Sequence, residues 1–272
     1  MYISLYNSMV HDLTIFTIAT DKYFEYWVSL VESAKKYLSK DISTQWIVFT
    51  NRSEDLAQKI ELTSDMDLIV QPINGLEWPL PTLLRYSFIN SVKNLVSGKE
   101  FMYLDADMLF MNHIDKLDNL VHNPKKKITL IMHPGFYRYS GLELAVFYLR
   151  NIKFIFKDLK LKIRYGSLGT WETKRNSMAF VERSKRKKYV CGGVWFGEKN
   201  AVLEMCELLA SRVLKDYSNN VVAKYHDESH LNWFASESEV TLLGPEYCFE
   251  QSYPQISSIF PKILAVNKHT LG

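Results

Sequence analysis

Phe101-Met-Tyr-Leu-Asp-Ala-Asp-Met-Leu-Phe110 is the stretch from which fold and chemistry are read together. An apolar run enters Asp105 and Asp107, and apolar residues follow at once. In an extended strand residues i and i+2 share a face, so the two carboxylates stand side by side at the end of a buried strand. Two close carboxylates repel, and one takes up a proton unless a cation sits between them. An all-oxygen pair suits a hard divalent ion such as Mg²⁺ or Mn²⁺, typically shared with a phosphate. A second reading stays open at this point: a polar strand end, with one aspartate capping the next helix.

Toward the N-terminus the pattern is regular. Leu13-Thr-Ile-Phe-Thr-Ile-Ala19 reads as a buried strand, and Thr20 and Asp21 are N-cap candidates for a helix over about 22–37. Apolar residues Tyr23, Tyr26, Trp27, Leu30, Val31 and Ala34 fall at helical spacing in it. Strands are expected over 45–50 and 67–71, with a turn and short helix over 51–60 between them. Trp78-Pro-Leu-Pro81 breaks the pattern, and a helix over 83–95 carries Arg85 near its start. The β-α-β-α-β-α-β alternation predicts a mainly parallel sheet with helices on both faces. Ligands of such sheets bind at the carboxyl ends of the strands, where Asp105 and Asp107 lie.

The C-terminal side is less regular. A strand over 127–132 ends at His133-Pro-Gly-Phe-Tyr137, where the histidine is either structural or a ligand contact. Residues 142–163 mix aromatic, aliphatic and cationic side chains, which fits a helix on a membrane surface as well as a core helix with a basic outer face. The basic run 183–188 is a solvated loop or a clamp for an anionic leaving group. Tyr189-Val-Cys-Gly-Gly-Val-Trp-Phe-Gly197 is a strand whose Gly192 and Gly193 mark a bulge or a close approach. A helix is expected over 201–215.

His226-Asp-Glu-Ser-His230 clusters ionisable residues, a pattern commoner in sites than in cores. Its histidines stand at i and i+4, as in a zinc-protease helix, but Asp227 occupies the place where that motif needs Glu. The other reading makes Glu228 a catalytic carboxylate, with His226 and Asp227 binding hydroxyls.

Composition limits the alternatives. The 272 residues are 47% hydrophobic with a net charge of +3, which fits a globular α/β chain and gives no argument for nucleic acid. Three cysteines without paired spacing, Cys191, Cys206 and Cys248, fit a reducing compartment. The start has no basic-then-apolar leader, and no apolar run reaches a membrane span. The expectation is a cytoplasmic protein, bacterial in type, either free or peripheral on the inner face of the membrane.

Taken in order, Leu-Asp-Ala-Asp (104–107), His-Pro-Gly-Phe-Tyr (133–137), Gly-Gly-Val-Trp-Phe-Gly (192–197), His-Asp-Glu-Ser-His-Leu-Asn (226–232) and Gly-Pro-Glu-Tyr (244–247) resemble glycosyltransferase family 6, which includes the histo-blood-group A and B transferases. The resemblance runs from about residue 13 to 269. It implies a GT-A fold, a Rossmann-like, mainly parallel α/β sheet with an acceptor-binding C-terminal half. It implies one domain over 1–272, with a nucleotide-sugar half over about 13–115, an acceptor and catalytic half over about 116–272, and an insert at about 139–168. The implied reaction is retaining transfer of GalNAc or Gal from the UDP-sugar to the 3-hydroxyl of a β-galactoside, often fucosylated, on a cell-surface or lipid-linked glycan. The alternatives kept are a transferase specific for UDP-Gal and a sugar-nucleotide binder without turnover.

Carried over residue by residue, the resemblance gives Asp105 and Asp107 a Mn²⁺ ion against the UDP diphosphate. Ile18, Ala19, Thr20 and Tyr23 match the segment that cradles uracil and ribose. Arg85 matches a donor-site arginine, and Asp227 binds hydroxyls of the donor sugar. Glu228 matches the catalytic carboxylate beneath the anomeric carbon. Cys191, Gly192 and Gly193 match the strand that sets donor choice, the small residue at 193 favouring the N-acetylated sugar. His133, Tyr225, His226 and Glu246 fall on the acceptor side. Lys268 matches the tail that folds over UDP, with 183–188 as a substitute closing element. Many bacterial relatives carry Asn-x-Asn here and work without metal, so both aspartates imply metal dependence.

Overall fold

The computed structural model describes residues 10–55, 59–114 and 126–266. Lys268 therefore lies outside the described residues. In the first half β1 (Leu13–Ile18), α1 (Tyr23–Tyr37), β2 (Thr44–Thr50), β3 (Met66–Pro72), α2 (Leu80–Leu83), α3 (Arg85–Ser91), β4 (Glu100–Leu104) and β5 (Met108–Phe110) follow one another. The second half adds β6 (Ile128–Met132), α4 (Gly141–Arg150), α5 (Ile152–Tyr165), β7 (Val190–Glu198), α6 (Lys199–Ser218), α7 (His226–Glu237), β8 (Thr241–Leu243) and β9 (Ile263–Ala265).

A seven-stranded sheet has the order β3-β2-β1-β4-β7-β6-β8, and β5 pairs with β9 in a separate ribbon. β3, β2, β1 and β4 run parallel, as do β6 and β8, while β7 is antiparallel to both of its neighbours. This is the Rossmann-like, mainly parallel sheet that the alternation and the family resemblance predict. The reversed strand has a direct consequence for the site. Because β7 runs against the others, its start rather than its end lies at the carboxyl edge of the parallel strands. Leu104 pairs with Val194, and Asp105 N–H donates to Gly193 O at 2.9 Å, so the glycine pair is laid against the aspartates.

Strand alternation sends successive side chains into two cores, one on each face. Ile15, Met102, Leu104, Val194 and Phe196 meet Phe24, Trp27, Leu30 and Val31 of α1 on one side. Phe16, Phe101, Tyr103, Leu130 and Trp195 meet Tyr86 and Ile89 of α3 and Val202, Met205 and Leu209 of α6 on the other.

Several boundaries differ from the sequence reading. Neither Thr20 nor Asp21 caps α1 with its side chain: Lys22 is the N-cap and Asp21 takes a left-handed φ of 51°. In the expected turn and short helix over 51–60, Ser53–Asp55 form a 3-10 turn and Lys59 is helical. The helix over 83–95 is shorter and is preceded by α2. Residues 142–163 form two helices instead of one. Asn151 interrupts them with φ −137°, its side-chain amide donating to Phe147 O at 3.0 Å and so satisfying the end of α4. Among the described residues no helix is long and apolar enough to cross a membrane.

Candidate active site

At the carboxyl edge of the sheet lies a cleft of about 460 Å³, lined by Ile18, Thr20, Lys22, Tyr23, Trp78, Thr82, Arg85, Tyr103, Asp105 and Asp107 among others. Sequence predicts Ile18, Thr20, Tyr23, Arg85 and both aspartates for this place, and the fold brings them together there. Ala19 is a correction: it is fully buried beneath the β1 end, with its N–H bonded to Phe49 O at 2.8 Å, and presents nothing to the cleft.

Arg85 organises the charges. It begins α3 and is 3% exposed. Its Nε lies 3.0 Å from Asp227 Oδ2, its Nη2 lies 3.2 Å from Asp105 Oδ1, and its Nη1 donates to Gly192 O at 2.7 Å. One planar guanidinium thus joins β4, β7 and the first turn of α7, using the fork geometry that a lysine lacks. Its charged carbon sits 4.5 Å from the centre of the Tyr103 ring, and that ring stacks on Trp195 with centroids 5.1 Å apart. Tyr103 OH donates to Asp105 Oδ1 at 2.9 Å, and burial holds the phenol well above its ordinary pKa, so it remains a donor.

The glycine pair is a matter of space. A Cβ at Gly193 would lie 2.7 Å from Asp105 Oδ2 and from Met108 Cε. A Cβ at Gly192 would lie 3.2 Å from Asp227 Oδ2 and from Glu228 Cβ. The two glycines therefore face opposite carboxylates, one on each side of the strand. Gly192 N–H donates to Glu228 Oε2 at 3.0 Å, which fixes the carboxylate against the strand. Cys191 points elsewhere. It is 4% exposed, packs in the core beside Cys248, and does not reach the cleft, contrary to its expected part in donor choice.

Asp227 and Glu228 occupy the first turn of α7, where the helix dipole favours negative charge. Burial nevertheless pushes the Asp227 carboxyl up to about 7; Asp105 and Glu228 push the same way and Arg85 opposes them. Burial pushes Glu228 up to about 7 as well, against hydrogen bonds from Gly192 N–H and the Tyr189 hydroxyl. Two adjacent carboxyls held near neutrality, one of them paired with the cleft residue Arg85, are a pattern that functional sites carry.

The histidines separate. His226, in a left-handed φ of 45°, meets the ring of Trp78 edge-on at 4.5 Å. His230 is fully buried on the far side of α7, 3.5 Å from Asp216, and burial lowers its pKa to about 4. The zinc-protease reading therefore fails, and no group of three or more metal-type ligands occurs among the described residues. His133 accepts at Nδ1 from Gly135 N–H at 3.0 Å, so its proton sits on Nε2, and burial lowers its pKa to about 4. Its ring is framed by Phe136, Tyr189 and Tyr253. Tyr225 precedes α7 and is 41% exposed. Glu246 lies on the turn after β8; burial first, then Tyr139 and Glu246, raise the Tyr137 phenol on the His133 loop.

Three cations of the run 183–188 are engaged away from the cleft. Arg183 donates to Lys162 O and Ile163 O at the end of α5, Lys185 pairs with Glu237, and Arg186 is buried against Val181 O and Tyr165 O. Three residues of the site escape the sequence reading. Tyr103 was accessible to it, since i and i+2 of a strand share a face with Asp105. Trp78, 72% exposed at the cleft mouth, and Tyr189 against Glu228 depend on loop paths that carry no periodic signal.

Several known proteins are similar to this chain in sequence. A family model described as Glycosyltransferase family 6 matches residues 165–270, the part that supplies Gly192, Gly193, Asp227 and Glu228. The rat histo-blood group ABO system transferase 1 is 26% identical over 258 residues, covering 92% of this chain and 64% of its own. The human globoside α-1,3-N-acetylgalactosaminyltransferase 1 is 24% identical, covering 94% of this chain and 66% of its own. The O-antigen biosynthesis glycosyltransferase WbnI of Escherichia coli is 21% identical and covers 89% of each. This chain thus spans just under two thirds of the length of the mammalian relatives it matches. Relatives that align along nine tenths of the chain, and a family model that matches its C-terminal part, support the resemblance to glycosyltransferase family 6.

Proposed function

We propose that the protein is a retaining hexosyltransferase that moves GalNAc or Gal from a UDP-sugar to the 3-hydroxyl of a β-galactoside, forming an α1,3 linkage. The observation that carries this reading is Arg85, which ties Asp105 at the β4 end to Asp227 of α7 and to the Gly192 carbonyl of β7 through contacts of 2.7 to 3.2 Å. The first half of the chain, about 13–115, then serves the nucleotide-sugar, and the second half, about 116–272, supplies Asp227, Glu228 and the acceptor side.

The donor set fits a divalent cation. Asp105 and Asp107 line one cleft with all-oxygen donors, and a diphosphate completes the ligands that two carboxylates leave open. Mn²⁺ bound there supplies charge neutralisation for the departing diphosphate. Lys22, at the same cleft, adds a cation of the protein's own. Val266 N–H donates to Asp107 O at 2.8 Å, which ties the segment after β9 to the aspartate loop.

Glu228 acts on the anomeric carbon, either as nucleophile or as stabiliser of an oxocarbenium-like state. As nucleophile, its carboxylate forms the bond to C1 as the bond to UDP breaks. The acceptor hydroxyl then displaces the carboxylate, and its proton passes to the UDP product. Two inversions give retention, by the same logic as in retaining hydrolases. Gly192 N–H holds the carboxylate in place, and Asp227 takes the donor-sugar hydroxyls. Trp78 and Tyr225 offer exposed aromatic faces for the acceptor, beside His133 and His226. The small residue at 193 favours the N-acetylated donor, and the absence of a Cβ there also lets Asp105 approach the strand.

The relative from Escherichia coli is named for O-antigen biosynthesis, which supports a galactoside-terminated lipopolysaccharide or other lipid-linked glycan as acceptor. The test is UDP release with UDP-GalNAc and with UDP-Gal, each with fucosylated and plain galactosides, with and without EDTA. Glu228→Gln is expected to lose transfer and keep UDP binding; normal turnover by that variant would refute the assignment.

A further inference from the structure

We propose that helix α5 docks the protein on an anionic membrane surface, a role independent of the catalytic reading above. Three stripes on α5 repeat the same spacing of i, i+4, i+7 and i+11. Phe154, Asp158, Leu161 and Tyr165 form the inward one: Phe154, Asp158 and Tyr165 are buried, and Leu161 packs on the small core of Tyr165, Trp171, Val181 and Tyr189. Ile152, Phe156, Leu159 and Ile163 begin two residues earlier, which places them about 200° away on the opposite side at 100° per residue. They are 61%, 67%, 53% and 67% exposed. Lys153, Lys157, Lys160 and Arg164 fall between these stripes, along one flank, and Lys162 stands on the other.

The inward side of the helix pair is complete without the outward one. Arg138 donates from Nε and Nη2 to the two carboxylate oxygens of Asp158, both at 2.6 Å, and Tyr148 OH donates to the same carboxylate at 2.7 Å. Phe147 and Phe154 pack ring on ring at 5.1 Å. The outer apolar stripe is therefore no by-product of an unfinished core. Leu142 and Leu149 of α4, 80% and 79% exposed, add to the apolar surface of the pair.

Charge selects the occupant. Residues 141–165 carry six cations against Glu143 and Asp158, and Asp158 is neutralised by Arg138. A second copy seated antiparallel on this face through a two-fold axis would set the cationic flank against itself. Anionic lipid headgroups satisfy the lysines while the acyl boundary takes Ile152, Phe156, Leu159 and Ile163. Exposed apolar surface of this extent marks an interaction site.

The test is cosedimentation of the full chain with vesicles of phosphatidylcholine alone and of phosphatidylcholine mixed with phosphatidylglycerol. Binding is expected with the mixed vesicles and is expected to fall as salt rises. Lys157→Gln with Lys160→Gln should weaken it by about thirtyfold, at about 1 kcal/mol for each lysine. Phe156→Ser with Ile163→Ser should weaken it by about tenfold or more. All four side chains are exposed, so both double variants should melt with the wild type, which separates lost docking from lost fold. Equal binding to both vesicle types, unchanged binding by the variants, or no binding would overturn the proposal. So would a dimer in sedimentation equilibrium that the Phe156 and Ile163 changes dissociate.

Discussion

Replacing Arg85 by Met keeps much of the side chain's volume and removes the charge that faces Asp227, Asp105 and the Gly192 carbonyl. The cost should depend on pH, because the Asp227 carboxyl already sits at about 7 in the presence of Arg85 and must rise further without it. At pH 6 Asp227 in the variant is protonated. The loss is then mainly the stranded Gly192 carbonyl and the missing hydrogen bonds, about 1–3 kcal/mol for one unsatisfied buried group. At pH 8 some of the penalty of an uncompensated buried charge is added, toward the roughly 3–5 kcal/mol typical of a broken buried pair. For a chain of 272 residues, each kcal/mol moves the melting temperature by about 2 °C. The loss is then about 2–6 °C at pH 6 and about 6–10 °C at pH 8. Adding Asp227→Asn should restore several degrees at pH 8 and little at pH 6, a coupling that a thermal-melt double-mutant cycle reads directly. Arg85→Lys should fall between, since it keeps the charge without the planar fork. The reasoning fails if Arg85→Met loses the same amount at both pH values, or if Asp227→Asn gives no recovery at pH 8.

Two further outcomes follow from the same site. Asp227 has a folded pKa of about 7 against an ordinary 3.8, so the native state binds more protons and its stability from this group falls as pH rises through that window. His133 and His230, lowered to about 4 from 6.5, act in the opposite sense over part of it, so the wild-type curve alone is blunted. The difference in unfolding free energy between wild type and Asp227→Asn isolates the carboxyl: the wild type's advantage should shrink from pH 5 to pH 8, and a flat difference would show that Asp227 does not titrate there. Gly193→Ala must push the Asp105 carboxylate outward from a 2.7 Å clash, whereas Gly192→Ala meets its neighbours at 3.2 Å. The first should cost about 1–3 kcal/mol of stability and weaken UDP binding in Mn²⁺ by about tenfold or more, and the second distinctly less. Calorimetric titration with UDP checks this, and equal affinities for the two variants would contradict the close-approach account.

Periodic features were legible in the sequence. The apolar runs at 13–18, 44–50 and 100–104 had to be strands, because their side chains fill both cores of one sheet. The alternation with helices made the sheet mainly parallel, and the carboxyl-edge rule placed Asp105 and Asp107 at a ligand site before any contact was known. The glycine pair announced a close approach, and the cluster 226–230 announced a site. By itself, then, the sequence determined most of the elements, the class of fold and a set of candidate residues for chemistry, since these depend on local period and residue type.

Tertiary structure alone decided how those residues meet. Nothing local states that β7 runs backwards, yet that reversal is what lays Gly193 against Asp105 and Gly192 against Glu228. Nothing local distinguishes His226, at the cleft mouth against Trp78, from His230, buried against Asp216 on the other side of the same helix. Cys191 and Ala19 share strand ends with residues of the site but turn into the core, and the cations at 183, 185 and 186 are taken up by helix ends and buried carbonyls. By its local pattern Arg85 read only as an arginine near a helix start, and only the resemblance gave it a part at the donor site. Its role comes from three partners at positions 105, 192 and 227, contacts between segments far apart in the chain that no local pattern encodes.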